Sequence, residues 1–375
     1  MGVDYEISLT SPDYNYIEKR WKELESRAIP NFFLSWCWVK SWLETFRPSF
    51  QLIEIEFAGR IVGLGLLTNR REIRHFFIPS RVLRLGQTGN SKQDQIWIEY
   101  NDLLLDVEHR DTIPEAVVRF LLLRQDWDEF QLGATLDSRV SLYQSQDVTP
   151  VVKWQAPTYA VNLDAIRVSG KCYLQTLSRN TRYKINRTRR EYEAVGALSF
   201  KVHDSPDAVS AALDQIAPMH IKRWGAKESG FSNPWFLAFH KNLIFCSSSA
   251  TTIQVCELRV GSTLIGMLYN FVHRNTIYFY LSGLDYNSAD EAMNKNRLNP
   301  GLLLHAMAIE HYLREGFCCY DFMGGDARYK KSLAEKRGEL QLVSFQRSGN
   351  SLVIERFLRR LKHQLGTFIR NRNDC

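Results

Sequence analysis

Asp321, Asp326, Tyr329 and Lys330 fall close together in YDFMGGDARYKK (320–331), a strand-like run broken by two glycines. If YDFM alternates as a strand, Tyr320 and Phe322 face one way and Asp321 the other. A carboxylate inside a strand is costly unless paired or hydrogen-bonded, and Arg328, Lys330 and Lys331 are the nearby cations. Tyr329 carries a phenol that can give up a proton, and Lys330 can clamp a phosphate or carboxylate. Asp321 and Lys330 can equally form an ion pair that only fixes the turn. His220, in APMHIKRWG (217–225), has an imidazole that titrates near neutrality and can take a proton from an attacking amine or hydroxyl; a capping or core role fits it as well. Asp285 follows the strand pattern IYFYLSG (277–283) and can orient an amine, or simply close an Asx-type turn.

A second group of candidates would hold charge rather than move it. In KNRLNPGLLLHA (295–306) a helix starts at Pro300-Gly301 behind Arg297. Proline is tolerated in a first turn, glycine admits close approach, and exposed N–H groups there can take a phosphate. Arg179, Arg182, Lys184, Arg187, Arg189 and Arg190 crowd one helix, which suits phosphates, acidic glycans or RNA, or a solvated linking helix. Other chemistries lack their motifs: G-x-x-x-x-G-K-[ST], a strand-following G-x-G-x-x-G and H-E-x-x-H are all absent. Gly63-Leu64-Gly65 lies inside a strand hairpin, where it cannot make a dinucleotide turn.

These residues need a large scaffold. The chain has 375 residues, 45% hydrophobic and 24% charged, with net charge +7, a globular composition long enough for two domains. The seven cysteines form no C-x-x-C pair and no zinc spacing, and most sit among apolar residues, which predicts reduced thiols and a reducing compartment. The first residues lack the apolar core of a signal peptide, and no apolar run is long enough to span a membrane. Helices are expected over Trp21–Phe46, with Phe33, Trp36, Val39, Lys40 and Leu43 as a core stripe. A hairpin turning at Gly59 follows, then strands at 73–78 and 95–100, a helix after Asp111, and a strand at 129–132. Strands near Val151 and at 159–163 precede the basic helical region 172–193. Three antiparallel strands are predicted at 253–259, 263–272 and 276–283.

The two halves share an order. LIEIEFAGRIVGLGLLTNRREIRHFFI and TTIQVCELRVGSTLIGMLYNFVHRNTIYFYLSG each read strand, glycine turn, strand, basic turn, aromatic strand. Each then leads through a loop and helix to another strand. This order predicts a divergent duplication of about 150 residues.

On MHIKRWGAKESG, GSTLIGMLYNFVHRNTIYFYLSGLD, PGLLLHAMAIEHYLREG and YDFMGGDARYK, the second half resembles the CelD-type acetyltransferase family. That family belongs to the GCN5-related N-acetyltransferase superfamily and is related to the Fem-type transferases. The resemblance covers about residues 170–345 and implies an α/β (α+β) architecture: tandem acetyltransferase-like folds whose mixed central sheets are flanked by helices. It aligns His220, Arg223 and Trp224 with a His followed by Arg-Trp. It implies acyl-CoA as co-substrate, with no metal, and Arg297, Pro300, Gly301 and Lys330 as residues that hold it. Here NPGLLLHA departs from the superfamily's glycine-rich pyrophosphate loop.

The expectation is a lobe over 1–168 and a second over 169–375, the latter entered by the basic helix 172–193. The activity is acyl transfer from a thioester to an amine or hydroxyl of a small-molecule, lipid or saccharide acceptor. His220, Tyr329, Asp321 and Asp285 are the catalytic candidates; Trp224, Arg223 and Asp326 are the acceptor-binding ones. Tyr329 would protonate the leaving thiolate. Alternatives are a transferase of the same fold that takes its donor from aminoacyl-tRNA, and a non-catalytic module of polysaccharide assembly. The expected location is cytoplasmic, at most peripheral to the inner membrane.

Overall fold

The computed structural model describes residues 4–74, 78–246, 250–285 and 298–347. Their strands, in chain order, are β1 (Glu6–Thr10), β2 (Gln51–Phe57), β3 (Arg60–Arg74), β4 (Ile78–Leu85), β5 (Leu104–Leu105), β6 (Glu129–Leu136) and β7 (Val148–Asn162). Then follow β8 (Leu198–His203), β9 (Thr251–Val260), β10 (Thr263–His273), β11 (Thr276–Leu284), β12 (Cys319–Gly324) and β13 (Glu335–Arg347). All join one mixed sheet, ordered β1-β2-β3-β4-β6-β13-β7-β12-β11-β10-β9-β8, with β5 added to β3.

The duplicated order is present in space. β1 to β4 are antiparallel neighbours, and β4 then lies parallel to β6. β8 to β11 are likewise antiparallel, and β11 lies parallel to β12. A helix, Ile113–Leu122 or Pro300–Arg314, precedes each parallel strand, as a crossover between parallel strands requires.

The last strand of each half is exchanged. β7 pairs with β12, β13 pairs with β6, and β7 and β13 pair with each other along most of their length. A cut at 168/169 therefore leaves β7 on one side and its partner β12 on the other.

Some local expectations change. Residues 95–100, read as a strand, form a 3-10 turn followed by irregular chain, with Trp97 and Tyr100 at φ 43 and 52. Those angles interrupt any ladder. Of the strand expected at 73–78, Ile73 and Arg74 end β3 and Ile78 starts β4, and residues 75–77 lie outside the described residues. Leu163–Ser169 is a helix capped by Asn162, and the helical region after it is split into Tyr173–Thr176 and Arg179–Glu193. The short helix Arg328–Leu333 is followed at once by β13, for which no strand was expected.

The aromatic stripe is core. Phe33, Trp36, Val39 and Leu43 are buried. Phe32 stacks on Phe271 at 4.3 Å, and Trp38 meets Phe239 edge-on at 4.7 Å. These contacts join the 3-10 turn Phe32–Leu34 and helix Trp36–Phe46 of the first half to strand and helix of the second. Burying each such ring contributes roughly 2–3 kcal/mol, so the halves share one core. No helix among the described residues is long and apolar enough to cross a membrane.

Candidate functional site

The second half opens where its parallel strands part. β11 and β12 pair only at Thr276/Cys319, Ile277/Tyr320 and Tyr278/Asp321. Beyond that point β11 follows β10 with an irregularity beside Phe279–Leu281, and β12 shifts register on β7 between Asp321 and Gly324. Met323 adopts φ 61 within this bulge. The parted strands line a cavity of ≈ 450 Å³: Phe279 to Ser282 on one side, Phe322 to Gly324 on the other.

Four of the sequence candidates meet there: His220, Trp224, Tyr329 and Lys330. Helix Pro206–Trp224 delivers the first two. Gly283 lets that helix lie directly on β11, since a Cβ there would stand 3.1 Å from Ile216 Cα. His220 is buried, its Nδ1 is 2.9 Å from Ser229 Oγ, and Phe231 packs edge-on against its ring. Burial, then the nearby Arg223 charge, pulls its pKa down to about 4, so the imidazole is neutral at physiological pH. Tyr329 stacks on the ring of His305 at 5.4 Å. Lys330 is buried and donates to the Gly324 carbonyl; burial lowers its pKa, while Glu99 and Asp321 oppose the shift.

The remaining candidates lie elsewhere. Asp321 lines a neighbouring cavity of ≈ 290 Å³ and accepts from Tyr100 Oη at 2.9–3.0 Å and from Met323 N at 2.6 Å. Burial raises its pKa to about 6. The Asp321–Lys330 ion pair considered from sequence does not form. Asp326 is exposed and bridges to Lys331 at 2.5 Å. Asp285 is half-buried, 4.0 Å from Lys222. Arg223 is exposed and lies over the Trp224 ring at 5.1 Å. Pro300 and Gly301 open helix Pro300–Arg314 near the end of β11, Gly301 against Leu284. Arg297 lies outside the described residues.

Sequence reading missed the wall supplied by the first half. Gln95, Trp97 and Glu99 line the same cavity. Their loop is knotted by Asp94, which accepts from Thr88 N at 2.7 Å and Gly89 N at 2.8 Å. Tyr280 Oη donates to the Ile96 carbonyl, and Asn233 Nδ2 donates to Lys92 O at 2.6 Å and to Gln95 Oε1 at 2.9 Å. Glu99 Oε2 accepts from Gly324 N at 2.7 Å. The glycine pair explains the fit: a Cβ on Gly324 would meet the Glu99 oxygens at 3.3 and 3.4 Å. One on Gly325, at φ +123, would meet Lys330 Nζ at 3.3 Å. Burial raises the Glu99 pKa to about 7; the Gly324 N–H and Lys330 oppose the shift, and Asp321 adds to it. No sequence motif marks Glu99, because only the packing of the halves brings it to β12.

In the first half the corresponding opening is closed. β4 and β6 also pair at three positions only, Val82/Glu129 to Arg84/Gln131. Asn101 sits beyond them: its Nδ2 donates to Leu85 O at 2.8 Å, its N–H to Ala134 O at 3.3 Å, and its carbonyl accepts from Thr135 Oγ1 at 2.6 Å. On the β4 side a cavity of only ≈ 20 Å³ remains beside it, while its other side borders the ≈ 290 Å³ cavity that Asp321 lines.

Paired antiparallel strands, a parallel strand that parts from them and a helix before it define the GNAT-type acetyltransferase fold, here in tandem. Residues 179–331 match the family model described as an acetyltransferase (GNAT) domain. Among solved structures, FemX is similar at TM-score 0.54 and 9% identity, covering 89% of this chain and 96% of that one. The C-terminal domain of a putative lysylphosphatidylglycerol synthetase from Agrobacterium fabrum gives 0.53 and 10%, covering 92% and 95%. L-PGS from Bacillus licheniformis gives 0.52 and 12%, covering 93% and 96%. No curated protein matches the sequence.

Proposed function

We propose that the protein is an acyltransferase that works at the parted strands of its second half. It would move an acyl group from a thioester, acyl-CoA in the first instance, to an amine or hydroxyl of a small-molecule, lipid or saccharide acceptor. The observation that carries this reading is the asymmetry between the halves: the β11/β12 opening holds a ≈ 450 Å³ cavity, and Asn101 closes its β4/β6 counterpart.

Transfer is direct. The acceptor's nitrogen or oxygen attacks the thioester carbon, backbone N–H groups of the parted strand hold the developing oxyanion, and the carbon–sulfur bond breaks. Tyr329 protonates the departing thiolate. His220, neutral and fixed through Ser229, accepts a hydrogen bond from the acceptor and orients it beside Trp224, with Arg223 and Asp326 at the approach. Pro300, Gly301 and Arg297 hold the donor's phosphates at the helix start, and Lys330 adds positive charge. Asp321 and Asp285 support the site from outside the cavity. The His220-x-x-Arg223-Trp224 pattern supports a CelD-like specificity within the GNAT group.

Native mass spectrometry of the purified protein with acetyl-CoA and longer acyl-CoAs tests the donor. A complex is expected, together with thiol release that drops at least tenfold in Tyr329→Phe. Absence of both removes the reading. A second reading, in which aminoacyl-tRNA is the donor, is favoured by the exposed Arg179, Lys184 and Arg190 of helix Arg179–Glu193. One similar structure is named a lysylphosphatidylglycerol synthetase. That reading predicts salt-sensitive tRNA retention and no acyl-CoA complex.

A further inference from the structure

We infer that Glu99, carried by the first half of the chain, is the group that takes the acceptor's proton in the cavity of the second half. This rests on the acyl-transfer reading above. Glu99 lines the cavity where β11 and β12 part, with Oε2 held by Gly324 N–H at 2.7 Å. Its Oε1 has no hydrogen-bond partner among the described residues, so one carboxylate oxygen is fixed and the other is left for a ligand. The other proton-moving groups around the cavity serve this step less well. His220 is held neutral, with a pKa of about 4. The Lys330 ammonium is committed to the Gly324 carbonyl. Glu228 lies on an exposed turn.

A base works best when its own pKa lies near the working pH, and burial raises Glu99 to about 7. The groups that set this value face it from several elements. Lys330 comes from the short helix after β12 and Asp321 from β12. The phenols of Tyr100, next in the same loop, and Tyr280, from β11, also face it and have their own pKa raised by burial and in part by its charge. His220 and Tyr329 stand around the same cavity. The proton balance closes. As the new C–N or C–O bond forms, the acceptor's proton passes to Glu99 and then to solvent. As the C–S bond breaks, the thiolate takes a proton from Tyr329, which solvent restores.

The inference also assigns a purpose to the first half. Asn101 fills that half's own opening, and two residues earlier Glu99 enters the other one. The site is incomplete without the segment that closes its counterpart.

Full-length wild type, Glu99→Gln and Glu99→Ala are compared for thiol release from acetyl-CoA, with water and then hydroxylamine as acceptor, across about pH 5 to 9. Hydroxylamine is largely unprotonated at neutral pH and needs little help from a base. Both variants are expected to lose about 100-fold or more in kcat with water, with KM for acetyl-CoA little changed. The rise in rate with a midpoint about pH 7 in the wild type should vanish in both. Hydroxylamine should restore most of the lost rate. Variants that keep the wild-type rate and pH profile overturn the role of Glu99 and leave acyl transfer standing. A wild type that neither binds nor turns over acetyl-CoA overturns both.

Discussion

At the scale of single residues, an ionisable group at the parted strands is held at a cost to the fold. The Glu99 pKa is raised from 4.5 to about 7, so the folded protein keeps a proton that the unfolded chain has lost. Stability is unaffected below the unfolded value, falls as pH rises between the two, and is lower by about 3 kcal/mol above the folded value. Glu99→Gln removes the charge and keeps an oxygen for Gly324 N–H. The attraction to Lys330 is already contained in that shift, so the variant should be about 3 kcal/mol more stable than wild type near pH 8 and equal to it near pH 4. Urea midpoints at the two pH values check this. A more stable but inactive variant is the trade-off expected when a site is built at the expense of stability. Gly324→Ala tests the neighbouring contact: its Cβ would crowd Glu99 and also Leu340 Cδ1, at 3.0 Å. Activity should fall tenfold or more, for a stability loss of about 1–2 kcal/mol.

At the scale of elements, the site depends on how closely helix Pro206–Trp224 lies on β11. Gly283→Ala puts a Cβ 3.1 Å from the Ile216 backbone and 3.0 Å from Met219 Cε. Backbone cannot step aside as a side chain can, so the helix must shift and carry His220 with it. The expected result is a stability loss of about 1–3 kcal/mol and a larger proportional loss of kcat than of donor affinity, read from kcat and KM. Much of this frame was legible in the sequence. β9, β10 and β11 fall close to the predicted strands because glycine turns and alternation mark them, and the repeated order of elements carried the tandem fold. What was not legible depends on long-range partners. Glu99 lies in a stretch, QIWIEY, whose alternation imitates a strand, yet Asp94 and Tyr280 fix it as irregular chain. The double glycine looked like a turn; its use is to admit Glu99 and Lys330. β13 was missed because its edge pairings, with β6 and β7, come from the other half. That exchange predicts the behaviour of fragments. Chains 1–170 and 171–375, broken at the exposed Gly170, each leave strand edges unpaired. Separately they should be unfolded or aggregated, and co-expressed they should purify as a one-to-one complex with thiol-releasing activity. Monomeric, independently folded fragments would contradict the shared sheet.

At the scale of the whole molecule, one sheet and a shared core make unfolding a joint event, so the pH dependence of stability sums over both halves. His220 and His273 have pKa values lowered to about 4, and His240 and His305 to about 3, with burial the main cause in each. The unfolded chain protonates all four below its ordinary histidine pKa, whereas the fold keeps them neutral. Each therefore contributes stability above about pH 6.5 that is lost as pH falls toward the folded value. Glu99 and Asp321 act in the opposite sense, because the fold retains their protons up to about 7 and about 6. Near pH 5 the unfolded chain thus binds about two protons more than the folded one, and stability should fall by about 2.7 kcal/mol per pH unit on acidification. At about pH 6.5 the four unfolded histidines still bind about two protons, against about one held by Glu99 and Asp321 in the fold, so stability goes on rising with a shrinking slope until about pH 7.5. Stability should therefore climb steeply from the acid side and level off above about pH 7.5. Glu99→Gln should steepen the rise between about pH 5 and 7 by up to about one proton. His240→Phe should do the reverse. His240 is fully buried among Phe236, Phe239 and Phe271, with Nδ1 3.2 Å from Tyr269 Oη. Its replacement should reduce the acid slope by about one proton, or about 1.4 kcal/mol per pH unit, while lowering stability at neutral pH through the unpaired tyrosine hydroxyl. Urea titrations of the three proteins at half-unit pH steps measure these slopes, and a wild-type acid limb that is flat to about pH 5 would mean that the buried histidines are not held neutral by the fold.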